Sequence, residues 1–221
     1  GLVPETDLQA MVQQVRARGG RVSLKRNADG SESPYELNIT YFDALGTDHV
    51  EEQIARFLCA QAIPLALQGV PAVYFQSLVA APNDQAGVHR TQAARSINRH
   101  KWQEQELESL FHDPASPAAQ VLPELLRRLR VRATQPAFDP ATPQRILRLH
   151  PQVFAVARTH PTAPLLALHN VSSSPVQLTL PDGFAPAGWR DVLAPHPDPT
   201  PDLRRTVDLP AYGCLWLAQA R

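Results

Sequence analysis

Between Gly69 and Trp102 the chain reads GVPAVYFQSLVAAPNDQAGVHRTQAARSINRHKW. A short apolar run, Val70–Phe75, gives way to a polar stretch carrying Asn83, Asp84, His89, Arg90, Arg95, Asn98, Arg99 and His100. Two arginines and a histidine lie within the six residues from Arg95 to His100. That density of charge-assisted donors fits recognition of an oxygen-rich or anionic ligand. Asn83 and Asp84 have a second account, because an Asx-type turn uses the same two residues without any ligand. Other chemistries find no support. There is no HExxH or other metal-ligand spacing, no glycine-rich phosphate loop and no GxSxG, so a metal site, a nucleotide cradle and a serine nucleophile are not expected.

The elements that must position this loop follow from periodicity. Glu5–Arg18 reads as a helix with Leu8, Met11, Val12 and Val15 on one face. A polar loop, Lys25–Ser33, follows, with a turn at Ala28-Asp29-Gly30. Tyr35–Leu45 alternates like a strand. Thr47 or Asp48 caps a helix that runs to about Gln68 and contains Pro64. Val70–Phe75 is almost wholly apolar, the pattern of a parallel strand buried on both faces. Helix, buried strand, long loop and helix make a barrel-like βα unit, with the loop at the strand's C-terminal end.

Further helices are expected at Gln103–Phe111 and Ala118–Thr134. The second has Val121, Leu122, Leu125, Leu126 and Leu129 inward and Arg127, Arg128 and Arg130 on a solvated face. After Phe138 the runs Arg145–Leu149, Val153–Arg158, Leu165–Asn170, Val176–Leu180 and Cys214–Leu217 are short and separated by Pro, Gly, Ser and His. They read as a small antiparallel β domain.

The chain has 221 residues, 21 Lys plus Arg against 21 Asp plus Glu, and two cysteines. Formal neutrality offers no basic excess to displace counterions, so nucleic acid is not an expected partner. No run of eighteen apolar residues is present and no membrane partner is expected. The N-terminus lacks the n-region and h-region of a signal peptide, and a cytoplasmic location is expected. Cys59 and Cys214 read as two reduced, buried thiols. Trp102, Trp189 and Trp216, and the scattered His49, His112, His150, His160, His169 and His196, read as packing and surface residues.

Three stretches taken in order resemble a known family. GLVPETDL at the N-terminus, PYELNITYFDALG at Pro34–Gly46, and GVPAVYF, ND and SINRHK in the loop region are similar to the sucrose-phosphorylase branch of the α-amylase superfamily, glycoside hydrolase family 13. The resemblance covers most of the first hundred residues. It implies an α/β plus β fold: the C-terminal part of a (β/α)8 barrel with a barrel insertion, followed by a small antiparallel β domain. Residues 1–46 would belong to an insertion after barrel strand seven, 47–138 to the last βα units, and 139–221 to the β domain.

The same resemblance implies a retaining glycoside phosphorylase that converts an α-glucoside and phosphate to α-glucose 1-phosphate, with no cofactor and with phosphate as co-substrate. PYELNITYFDALG with SINRHKW is nearest to members acting on glucosylglycerate, with sucrose, sucrose 6-phosphate and glucosylglycerol as near alternatives. The catalytic carboxylates of the family lie upstream of the matched stretches, so no catalytic residue is assigned here. Arg99 matches the arginine that holds hydroxyls of the donor glucosyl unit, where a guanidinium fork can bridge two of them. Tyr35 and Glu36 match a Tyr–Gln pair on the acceptor and phosphate side. Asn83 and Asp84 match the ND at the loop mouth, and His100 follows Arg99. The chain departs from the family's common Gly-Arg-Asp-Ile-Asn-Arg at Ala94 and Ser96, and Glu36 places a carboxylate where the sucrose-specific members have an amide. A glycerate carboxylate would need a cation, and His89, Arg90 and Lys101 are candidates. The alternative reading is a non-catalytic carbohydrate-binding or oligomerisation module. The expected partners are an α-glucoside and phosphate, with a homodimer left open.

Overall fold

The structure, a computed structural model, describes residues 3–180, 184, 189–194 and 206–219. Gly1, Leu2 and His196 lie outside the described residues. In chain order the elements are α1 (Glu5–Ala17), β1 (Arg21–Arg26), β2 (Glu32–Asn38), α2 (Tyr41–Ala44), α3 (Val50–Ala66), α4 (Phe75–Leu78), α5 (Gln85–Thr91), a 3-10 turn at Ala94–Asn98, α6 (Glu104–His112) and α7 (Pro117–Thr134). A 3-10 turn at Pro136–Phe138 then leads into β3 (Gln144–His150), β4 (Val153–Arg158), β5 (Leu165–Asn170), β6 (Val176–Thr179), β7 (Trp189–Asp191), β8 (Thr206–Leu209) and β9 (Cys214–Gln219). The chain divides into two compact units, one of residues 1–53 and 73–122 and the other of residues 54–72 and 123–221.

The first unit holds the donor-rich loop. Helix α1 carries Glu5 and Asp7 in its first turn and Arg16 in its last, each complementing the helix dipole. It buries Val12 and Val15 and leaves Met11 exposed. The stretch expected as a polar loop, Lys25–Ser33, is the tip of a hairpin, with residues 27–31 as the connection and its two ends in strands. Strands β1 and β2 pair antiparallel, from Arg21 opposite Asn38 to Arg26 opposite Glu32. The turn falls where the composition placed it, at residues 28–30. Gly30 there takes φ +85°, a region that a Cβ disfavours. The expected strand Tyr35–Leu45 stops at Asn38, because Thr40 caps a short helix by accepting the Asp43 N–H at 3.3 Å.

The larger correction concerns Val70–Phe75, expected as a buried parallel strand. Residues 70–74 form no strand, Val70 is 83% exposed, and Phe75 opens helix α4. The physical reason is pairing. A buried strand needs ladder partners on its edges, and the described strands form only β1-β2, β3-β4-β5-β9-β7 and β6-β8 sheets. Without a neighbour, an apolar run has no ladder to join.

In the second unit, β3-β4-β5-β9-β7 is a five-stranded antiparallel sheet, and β6-β8 is a two-stranded one. All six residues of β5 are buried, which accounts for its unbroken apolar reading. Ala155, Leu166, Leu168, Leu178, Leu209 and Leu217 are among the residues of one core cluster shared by the two sheets. Two strands escaped the sequence reading, Trp189–Asp191 and Thr206–Leu209.

Helix α7 also needs a correction. Arg128 does not face solvent; it is buried and donates to the Leu58 carbonyl. Arg132 is buried too and donates to the carbonyls of Leu65 at 2.7 Å and Gly69 at 2.9 Å. Arg158 of β4 reaches the carbonyls of Ala66, Leu67, Asp139 and Thr142. The carbonyls of Leu65 and Ala66, in the last turn of α3, lack intrahelical donors, and Arg132 and Arg158 supply them. Cys59 and Cys214 are both free thiols, but Cys214 is only partly buried where burial of both was expected. Cys59 is buried and its thiol donates to the Asn170 carbonyl at 3.3 Å. The hydrogen bond with the Cys214 thiol, and then burial, hold Cys59 firmly protonated.

Candidate functional site

The loop between α4 and α6 is closed by one backbone bond, from the Asp84 N–H to the Ile97 carbonyl at 2.8 Å. Inside that closure lie α5 and the 3-10 turn at Ala94–Asn98. Asp84 caps α5, its carboxylate accepting the Gly87 N–H at 2.6 Å. A Cβ on Gly87 would lie 2.2 Å from that carboxylate, so the cap requires glycine there. Asn83 does scaffold work at the loop entrance. Its side-chain oxygen accepts the Thr40 N–H at 2.9 Å, its amide donates to the Arg18 carbonyl at 3.0 Å, and its own N–H donates to Asp43 at 2.8 Å.

At the exit of the loop His100 stands between two carboxylates. Nδ1 lies 3.3 Å from Asp84 and Nε2 lies 3.1 Å from Glu106. With an acceptor on each ring nitrogen, the imidazolium form satisfies both. Partial burial disfavours the charged ring, but the bonds and charges of Glu106 and Asp84 outweigh it and raise the His100 pKa above its ordinary value. Desolvation likewise works against ionised Asp84. The Gly87 N–H and His100 overcome it and hold the carboxyl below the usual carboxylate range. Trp102 meets the His100 ring edge-on at 4.4 Å and donates its indole N–H to Gln76 at 2.7 Å. Asn83, Asp84, His100, Trp102 and Glu106 line a cavity of about 340 Å³.

The remaining candidates lie apart from this cavity. Glu36 on β2 accepts from Arg95 Nε at 2.8 Å, an exposed ion pair that ties the hairpin to the 3-10 turn. Tyr35 is 65% exposed beside it. Arg99 directly precedes His100, is exposed, and makes no side-chain hydrogen bond or ion pair with the described residues. The structure therefore brings Asn83, Asp84 and His100 together, pairs Glu36 with Arg95, and leaves Arg99 and Tyr35 at the surface. Two residues of the cluster were missed in the sequence, Glu106 and Trp102. The signal for Glu106 was present: Gln103 and Glu106 stand three apart at a helix start and form a capping box. Among the described residues no group of three or more His, Cys, Asp or Glu is placed to hold a metal ion. No helix of the described residues is long and apolar enough to cross a membrane.

No family model matches the chain. Individual relatives do. A glucosylglycerate phosphorylase of Allomeiothermus silvanus is 46% identical over 151 residues, 66% of this chain and 27% of that protein. Glucosylglycerate phosphorylases of Spirochaeta thermophila and Escherichia coli are 34% and 37% identical over 100% and 79% of the chain, and over 40% and 32% of their own lengths. Among solved structures, sucrose 6F-phosphate phosphorylase of Thermoanaerobacter thermosaccharolyticum superimposes with a TM-score of 0.64 at 25% identity, over 77% of this chain and 33% of that one. Trehalose-6-phosphate hydrolase of Bacillus licheniformis shares the fold at a TM-score of 0.54 and 15% identity, over 80% of this chain and 40% of its own. The chain thus spans between about a quarter and two-fifths of the length of the curated relatives it matches. It is a homologue of the sucrose-phosphorylase-like branch of the α-amylase superfamily, matching a part of those glycoside phosphorylases.

Proposed function

We propose that these 221 residues form the C-terminal part of a retaining glycoside phosphorylase that converts an α-glucoside and phosphate to α-glucose 1-phosphate. On this reading they are the last units of a (β/α)8 barrel, with residues 1–46 as an insertion and residues 139–221 as the appended β domain. The carboxylates for double displacement would lie in the preceding part of the barrel, and this part would supply binding groups. The observation that carries the reading is Arg99. It has a guanidinium without a protein partner among the described residues, and it sits next to a clamped histidine at the end of a closed loop. A fork so placed can bridge two neighbouring hydroxyls of a donor glucosyl unit.

Tyr35 and Glu36 would face the acceptor and phosphate side. On this reading the Glu36–Arg95 pair, one carboxylate and one guanidinium, would judge an acceptor by its charge. Glucosylglycerate is the favoured substrate, because the relatives of highest identity named above carry that activity in their names.

The test is phosphorolysis of glucosylglycerate, sucrose, sucrose 6-phosphate and glucosylglycerol by the full-length protein that contains these residues, read as release of α-glucose 1-phosphate. Preference for glucosylglycerate supports the reading. Sugar binding without turnover of any of the four would overturn it in favour of a carbohydrate-binding module. The 221 residues alone should release none. Turnover by them would place the reacting carboxylates among Glu36, Asp43 and Asp84.

A further inference from the structure

His100 stands in the sequence as a candidate ligand contact, yet both of its ring nitrogens are already taken by protein carboxylates. Those carboxylates are not free surface groups. Asp84 is the N-cap of α5, and its side chain is only 9% exposed. Glu106 belongs to the capping box that starts α6. One imidazole thus joins the first turns of two helices, α5 inside the loop and α6 directly after it. Arg99 lies between them, one residue before His100 and two after the Ile97 carbonyl that closes the loop.

We infer that His100 is a positioning residue, a charged strut between the caps of α5 and α6 that holds the backbone carrying Arg99 and slackens when the imidazole loses its proton. The part of this that concerns Arg99 and sugar binding rests on the proposed donor site; the strut itself does not.

A neutral imidazole has one N–H, so it can donate to Asp84 or to Glu106 but not to both. The other nitrogen then faces a carboxylate with a lone pair. The groups facing His100 are Asp84 from the start of α5 and Glu106 from α6, with Trp102 against the ring; Arg90 acts on Asp84 and not directly on His100. No described cation competes for the two carboxylates at these distances. Above the imidazole's pKa the clamp therefore turns from two attractions into one attraction and one repulsion.

The test separates charge from shape. Asp84→Asn keeps a good N-cap and Glu106→Gln keeps a capping-box side chain, so each removes a charge and preserves its helix start. The His100 ring is followed by NMR titration, and the amide protons of Asp84 and Arg99 by hydrogen exchange corrected for intrinsic rates. The expected result is a His100 pKa above that of an exposed histidine, shifted down in each variant and furthest in the double variant. The protection of the Asp84 and Arg99 amides should fall as the ring titrates, and this pH step should vanish in His100→Gln. A His100 titration unmoved by both variants, or an Arg99 amide whose protection ignores that titration, overturns the strut. Donor kcat/KM of the full-length protein is a separate readout. If the exchange step is present and Arg99→Ala leaves donor kinetics intact, the strut stands and the donor-site reading falls.

Discussion

His100 in the first unit and His169 in the second show two opposite treatments of the same side chain. His100 is 30% exposed and is held between two carboxylates. His169 is fully buried in β5, donates from Nδ1 to the Phe154 carbonyl at 3.1 Å, and accepts the Trp216 indole N–H on Nε2 at 3.5 Å. Burial pushes its pKa down to about 4. The arginines divide in the same way. Arg158, Arg132 and Arg128 are enclosed and turned onto main-chain carbonyls, whereas Arg99 is exposed and unbonded among the described residues. Where the sheet unit buries one of these cationic side chains, it completes the backbone's hydrogen bonds or gives up its charge. In the loop unit charge stays on the surface, where it can meet a ligand. A residue type therefore says little about role until its partners are known.

Arg158 is the enclosed cation with the most main-chain partners. Arg158→Ala would leave four carbonyls without their donor and a void in the second unit, at a cost on the order of 4 kcal/mol. Urea denaturation of the chain checks this, and a loss near zero would mean that water replaces the guanidinium at no cost.

His169 tests the same idea through pH. Its unfolded form binds a proton near pH 6.5 and its folded form near pH 4, so between those values the unfolded state holds more protons. Stability from this group is complete above pH 6.5 and declines as the pH falls toward 4, by on the order of 3 kcal/mol. His169→Gln should flatten that part of the stability profile. His100 has the opposite sign. With its pKa raised in the fold, its contribution is complete below about pH 6.5 and declines as the pH rises through the folded value.

At Arg99 the expected change is in activity and not in stability. In the full-length protein Arg99→Ala should lower kcat/KM for every glucosyl donor by roughly a hundredfold, the equivalent of about 2–3 kcal/mol for one charge-assisted bond in a closed site. Its denaturation midpoint should match the parent's. Unchanged donor kinetics in a folded Arg99→Ala protein would falsify the donor-site role. The smallest effect is expected at Glu36. The Glu36–Arg95 pair is exposed, so Glu36→Gln should cost no more than about 1 kcal/mol of stability. Its consequence should be a changed ratio of activities among acceptors, and an equal fall for all acceptors would make it a purely structural residue.

The second unit was the more legible of the two. Val153–Arg158 and Leu165–Asn170 are strands with the bounds their composition implied, because a strand buried in an antiparallel sheet with its own hairpin neighbours is specified locally. Val70–Phe75 is at least as apolar and is no strand, since pairing is a property of neighbours and not of the run. Arg128 was misplaced for a related reason. Helical periodicity distinguishes apolar from charged positions, but it cannot show that carbonyls of residues 58–69 would want donors. In the site, ND and NRH marked the loop and the Asp84 cap is local, to Gly87, while the role of Asn83 as a staple became visible only with partners 40 and more residues away. Glu106 carried a readable signal in its spacing from Gln103; Trp102, at the edge of the same cavity, carried none.

The hydrogen bonds of Asn83 bear on how the chain acquires its form. This one residue ties Arg18, Thr40 and Asp43 together, across separations of 65, 43 and 40 positions. During synthesis the hairpin and the short helix after it precede residue 83, so the bonds that Asn83 adds to Thr40 and Asp43 come last. Docking of that early segment must wait for the later one. Such long-range closure is slow compared with local folding, so the N-terminal segment spends its first moments as an unfinished surface that the ribosome-bound chain must keep from straying.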